Sequence, residues 1–123
     1  MKLQFSDGRS IYLQIAENIE EDILRGTIGE EQQLPSTTEM AVLFQINPAT
    51  AAKGVNLLVE EGTVYKKRGI GMFVAQGATA RIRQKRRAVF YENYIQKLLD
   101  EAGRLGITRD ELTEMIRREK PRA

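Results

Sequence analysis

One stretch, residues 34–74, restricts the folds open to this chain more than any other, and within it residues 47–62 are the part its neighbours position. The stretch opens Asn47-Pro48 and closes Glu60-Glu61-Gly62. That is the punctuation of a helix: asparagine as N-cap, proline at the first helical position where its missing N–H is not needed, glycine just past the end. Upstream, Ser36-Thr37-Thr38-Glu39 has the S-x-x-E spacing of a capping box, in which the serine oxygen takes one backbone N–H and the glutamate reaches back to another. A second, shorter helix is therefore expected to start near Thr37. Only Phe44, Gln45 and Ile46 separate it from Asn47. A connection that short forces the two helices to cross steeply, which is the helix-turn-helix arrangement.

After Gly62 two β-prone runs, Thr63-Val64-Tyr65-Lys66-Lys67 and Met72-Phe73-Val74-Ala75, flank Arg68-Gly69-Ile70-Gly71. This predicts a hairpin with a basic tip, the wing of a winged helix. Ahead of the turn, residues 10–25 carry apolar groups at Ile11, Tyr12, Ile15, Ala16, Ile19, Ile23 and Leu24. Their period near 3.6 predicts a helix that stops at Gly26. Residues 27–35 are a polar connector ending at Leu34-Pro35. The core is expected to draw on Met40, Ala41, Leu43 and Phe44 of the short helix and on Val55, Leu57, Leu58 and Val59 of the next.

Beyond Gly77 the character changes. Residues 79–105 read as one long helix whose first turns carry Arg81, Arg83, Lys85, Arg86 and Arg87. Tyr91, Ile95, Leu98, Ala102 and Leu105 then recur at spacings of 4, 3, 4 and 3, an a/d-type seam. Thr108-Arg109-Asp110-Glu111 is a further capping box, opening a last helix with Leu112, Met115 and Ile116 on one side. Two helices of this size cannot enclose their apolar faces, so they either fold back on the first domain or pair with a second copy, and the second is preferred. The expected fold is mainly α with a small β-hairpin: a winged helix-turn-helix DNA-binding domain over 1–77 and a two-helix dimerisation region over 78–123.

The 123 residues contain neither cysteine nor histidine, which excludes thiolate metal sites, disulfides, cysteine nucleophiles and histidine bases. No nucleophile, base and oxyanion donors stand at a recognisable spacing, so an enzyme is not expected and neither is a metal or other cofactor. Residues 1–7 lack the apolar run of a signal peptide, and no 18 apolar residues are consecutive. The expectation is a soluble, cytoplasmic protein with no membrane partner. Residues 1–77 hold 7 basic and 10 acidic side chains, a balance of −3, and residues 78–123 hold 12 and 7, a balance of +5. The acidic first part argues against nucleic acid on bulk charge, but six of its ten acids (Glu17, Glu20, Glu21, Asp22, Glu30, Glu31) lie outside the turn and wing. Lys66, Lys67 and Arg68 cluster at the wing tip, where phosphates would lie.

Leu34-Pro35-Ser36, Glu39, Ala41, Asn47-Pro48-x-Thr50, Lys53, Leu58, Glu61-Gly62 and Arg68-Gly69-x-Gly71-x-Phe73-Val74 resemble the DNA-binding region of GntR-type bacterial transcription regulators. The Asn-Pro-x-Thr turn and short helical tail resemble the YtrA-like subgroup. The resemblance covers residues 10–76 by motif and the remainder in length and helicity. It implies a homodimer that binds a palindromic operator in double-stranded DNA and represses its own operon or an adjacent transporter operon. A small-molecule effector is not identified.

The second helix of the turn would enter the major groove, the only one wide enough and with a distinct pattern on each base pair. Asn47, Ala49, Thr50 and Lys53 would then face the bases, with Lys53 reaching a guanine edge or a phosphate. Ser36, Thr37 and Thr38 would present the N–H groups of a helix start to a phosphate. Lys67 and Arg68 would follow the backbone, while Gly69 and Gly71 let the wing approach a minor groove. Tyr91, Ile95, Leu98, Ala102 and Leu105 would form the dimer interface. The chain departs from the family pattern at Thr38, Pro48 and Ala52, where relatives commonly carry arginine. Fewer direct base contacts follow, each worth roughly 1–3 kcal/mol. A different class of function is also open: a winged-helix protein-interaction module without specific DNA binding, its net acidic face meeting a partner.

Overall fold

The computed structural model describes residues 9–119. Helix α1, Ile11–Arg25, forms where the apolar stripe predicts, and Ile15, Ala16, Ile19 and Ile23 go inward along one side of it. Helix α2, Thr37–Phe44, starts at Ser36 with both arms of the capping box made. Its core face is Met40 and Ala41, with Phe44 packed at the margin. Leu43, expected in the core, is 67% exposed, and Val42 beside it is 75% exposed. A helix of eight residues has one face to bury, and at about 100° per residue Leu43 falls roughly a right angle away from it.

Helix α3, Pro48–Glu60, follows a turn in which Gln45 takes the left-handed conformation, φ 53°, with its N–H on the Ala41 carbonyl. Ala51, Gly54, Val55 and Leu58 face inward, while Leu57 and Val59 are half-buried. Gly54 sits where α1 and α3 cross: a Cβ there would stand 2.8 Å from the Tyr12 carbonyl oxygen and 3.0 Å from Ile15 Cγ2.

Strands β1, Val64–Lys67, and β2, Gly71–Val74, pair antiparallel with Tyr65 opposite Phe73 and Lys67 opposite Gly71. The connector before α2, read from sequence as loop, adds a third rung to this hairpin. Glu31 N–H donates to the Val74 carbonyl and Leu34 N–H to that of Met72, each at 2.8 Å, and Gln33 bridges Phe73. Leu34 is thereby carried into the core.

Packing divides the chain into two compact units, one ending at Gln84 and one beginning at Lys85. The boundary expected at Gly77 falls short of this, because helix α4, Ala78–Ala88, contributes Ala78 and Ile82 to the first unit's core. Two polar contacts root α4 there. The Glu30 carboxylate accepts from the N–H groups of Gly77 (2.8 Å) and Thr79 (3.2 Å), capping the helix start. Arg81 donates through Nη1 to the Gly62 carbonyl, 2.6 Å away at the end of α3.

The second unit corrects the expectation of one unbroken helix over 79–105. After α4 the chain passes through a wide π-helical turn, Tyr91–Ile95, before helix α5, Gln96–Arg104; helix α6, Arg109–Arg118, starts at the predicted Thr108 capping box. A π-turn holds more residues per turn than an α-turn, so a seam counted at α spacing does not stay in line across it. Ala102 is buried inside this unit and Ile95 is half-buried, whereas Tyr91, Leu98 and Leu105 are exposed. Phe90 and Tyr94, which the seam omits, form an exposed aromatic pair with ring centroids 5.4 Å apart.

Candidate nucleic-acid interface

Two helix starts and the wing carry the residues singled out from sequence. At the α2 start the Ser36 hydroxyl accepts from the Glu39 N–H at 3.0 Å, and the Glu39 carboxylate takes the Ser36 N–H at 3.2 Å. Thr37 is half-buried and Thr38 exposed. The N–H groups of those two residues are the ones an α-helix start leaves without intrahelical partners. Glu39 already places a negative charge at this end of the helix dipole, which weakens its attraction for a phosphate.

At the α3 start Asn47 Oδ1 accepts from the Ala49 N–H at 2.8 Å. Its role as N-cap leaves the amide NH2 as the group available to a base edge. Ala49 and Lys53 are exposed and Thr50 is half-buried. Asn56, not singled out from sequence, is exposed as well. Ala49, Lys53, Asn56 and Glu60 stand at i, i+4, i+7 and i+11, one stripe along the helix, and that spacing was the signal available for Asn56. Glu60 ends the stripe with an acid, which disfavours a polyanion at that end of α3.

Lys53 is also not a freely solvated cation: its Nζ lies 4.1 Å from the centroid of the Tyr12 ring. In the sequence Tyr12 stands only as one member of the α1 apolar stripe.

On the wing, Tyr65 and Phe73 stack with centroids 5.9 Å apart, and Lys67 Nζ sits 4.3 Å from the centre of the Phe73 ring. Lys66 and Arg68 are exposed, as is Ile70 at the tip. Tyr65 Oη donates to Glu31 Oε2 at 2.6 Å, and this bond to the phenol form pushes the tyrosine pKa up. Gly69 turns the tip at φ +78° with open space about it. Gly71 has a reason inside the chain: at φ +150° a Cβ would stand 2.5 Å from Gln33 Nε2, which itself donates to the Ile70 carbonyl at 3.1 Å. The connector therefore braces the wing.

Of the basic run after Gly77, Arg81 is committed to the end of α3 and Arg83 and Arg87 are exposed. None of the described helices is long and apolar enough to cross a membrane.

The family described as bacterial regulatory proteins, gntR family, matches residues 11–74. The chain is 30% identical over 119 residues to the uncharacterised HTH-type transcriptional regulator YhcF of Bacillus subtilis, covering 95% of each chain. It is 29% identical over 107 residues to the HTH-type transcriptional repressor YtrA of the same organism, covering 87% of this chain and 82% of that one. Among solved structures, the DNA-binding domain of AraR in complex with operator ORX1 superposes with a TM-score of 0.54 at 30% identity, over 61% of this chain and 96% of that one.

Proposed function

Since the chain belongs to the gntR family of bacterial regulatory proteins, we propose that it is a cytoplasmic, homodimeric repressor that binds a palindromic operator through the first unit and pairs through the second. The observation that carries this reading is the α3 start. Asn47, Ala49 and Lys53 stand exposed on a helix backed by α1 and α2, and a helix presented in this way fits a major groove. Asn47 through its amide and Thr50 through its methyl and hydroxyl supply base contacts, and Asn56 suits an adenine edge. Lys66, Lys67 and Arg68 follow phosphates along the adjoining groove, with Gly69 at the tip. The N–H groups of Thr37 and Thr38, left open because the Ser36 hydroxyl takes that of Glu39, add a backbone contact.

Relatives of two kinds support the reading: one carries the name of a repressor and another was solved on its operator. Occupying an operator excludes polymerase, so binding alone suffices for repression. Tyr91, Leu98 and Leu105, together with the Phe90–Tyr94 pair, supply the apolar surface for pairing. Ala102, buried within its own unit, is left out, and Ile95 stands at the margin.

Fluorescence anisotropy of the full chain against its own upstream DNA, at two salt concentrations, tests the proposal. Binding that weakens steeply with salt and outcompetes a scrambled duplex is expected. Equal affinity for both duplexes, or none for either, would reject it.

A further inference from the structure

We propose that Tyr12 is a positioning residue that makes Lys53 a backbone clamp: its ring holds the ammonium on the α1 side of α3, where it meets a phosphate and not a base edge. The inference rests on the DNA-binding reading above and decides between the two targets that sequence leaves open for this lysine.

Three observations carry it. Lys53 Nζ lies 4.1 Å from the Tyr12 ring centroid, well inside the roughly 6 Å over which a cation is drawn to an aromatic face. The backbone that carries the ring is held in place, because α1 and α3 cross so closely at Gly54 that a Cβ there would stand 2.8 Å from the Tyr12 carbonyl oxygen. Both side chains line an open groove of about 530 Å³ between the two helices, with Glu60 also in its lining. Among the described residues the ring is the partner that Lys53 has.

The consequence is geometric. A helix lying in the major groove meets base edges along its outward face and phosphates along its flanks. A lysine whose ammonium is drawn back onto the Tyr12 ring of α1 carries its charge toward the flank of that face. Its ammonium is a point charge without the two-pronged fork that reads guanine, which suits a phosphate. An unrestrained lysine loses much rotamer freedom on binding. One already held on a ring loses less, so Tyr12 strengthens binding while touching no DNA.

The test uses the full chain and two probes: a duplex selected by the wild-type protein from a random library, and a scrambled duplex of equal length. Lys53→Ala should weaken both by the same factor and lower the salt slope by about one. Tyr12→Leu should weaken both roughly twofold to fivefold, Tyr12→Phe should match wild type, and Tyr12→Leu should add nothing to Lys53→Ala. If the leucine variant does not fold, a ring-fluorinated phenylalanine at position 12 keeps the shape and drains the ring face, and should weaken binding as leucine would.

Losses that multiply in the double variant would show Tyr12 to be structural only. A changed preference at one base pair in Lys53→Ala would show that Lys53 reads a base, and no change in affinity would show that it touches no DNA; each overturns the inference while leaving the function standing. Wild-type protein that binds neither duplex would remove the function as well.

Discussion

Gly54 shows how a single residue can set the distance between two helices. Glycine in a helix interior costs roughly 1 kcal/mol relative to alanine, so propensity alone favours Gly54→Ala. The packing opposes it: the added methyl would stand 2.8 Å from the Tyr12 backbone oxygen and 3.0 Å from Ile15 Cγ2. A backbone carbonyl in a packed helix cannot swing aside as a side-chain tip can. Overpacking of this kind costs about 1–3 kcal/mol, enough to cancel the propensity gain and exceed it. Urea unfolding of Gly54→Ala should therefore show a midpoint below wild type, and a raised midpoint would mean that the helices part without cost. The same residue marks a limit of reading sequence alone. Ser36, Asn47 and Gly62 announce themselves because capping is local chemistry among adjacent residues. Gly54 looks like a poor helix former, and Tyr12 like one apolar residue in a stripe, until the crossing brings them together.

At the scale of elements, boundaries set by local signals are legible and those set by long-range contacts are not. Helices α1, α2 and α3 and the hairpin fall where apolar period, caps and glycines place them. The third rung from Glu31 to Leu34 has no such signature, because its partners Met72 and Val74 are distant in sequence and its own residues, Leu34 apart, are polar. The π-turn Tyr91–Ile95 is hidden for another reason: a seam at 4, 3, 4 and 3 assumes the α spacing that the turn breaks. The root of α4 shows what a distant contact contributes. Glu30 caps it through the Gly77 and Thr79 N–H groups, and those donors hold the carboxyl pKa below its ordinary value. A carboxylate whose folded pKa is depressed adds stability above its unfolded pKa, and that stability fades as pH falls through the folded value. Glu30→Gln should accordingly be less stable than wild type at neutral pH, and the gap should close as the solution is acidified past the ordinary glutamate range. Thermal unfolding of both proteins across that range checks the sign; a gap that widens in acid would contradict the cap.

For the whole molecule the proposed function requires two first units on one duplex, since one α3 reads only half of a palindrome. The chain holds a single α3, so the doubling falls to the second unit. There Phe90, Tyr91, Tyr94, Leu98 and Leu105 are exposed in a unit that buries Ala102. An apolar surface of this kind seeks burial, and a second copy offers it with closed two-fold symmetry. Leu98→Asp places a charge where the pairing surface would be dry. An unpaired buried charge costs about 3–5 kcal/mol, which raises the dimer dissociation constant roughly a hundredfold or more. Leu98 lies outside the first unit, so the DNA-reading fold should survive, and affinity for a single half-site should be unchanged. Linking two readers adds about 10²–10⁴ in avidity on a two-site duplex, and the variant should lose that factor. Sedimentation equilibrium should give monomers, and an operator with half-sites about 10 base pairs apart should bind no better than one half-site. Undiminished dimer mass would place the pairing surface elsewhere, and a monomer that kept its full operator affinity would mean that one copy reads the whole site.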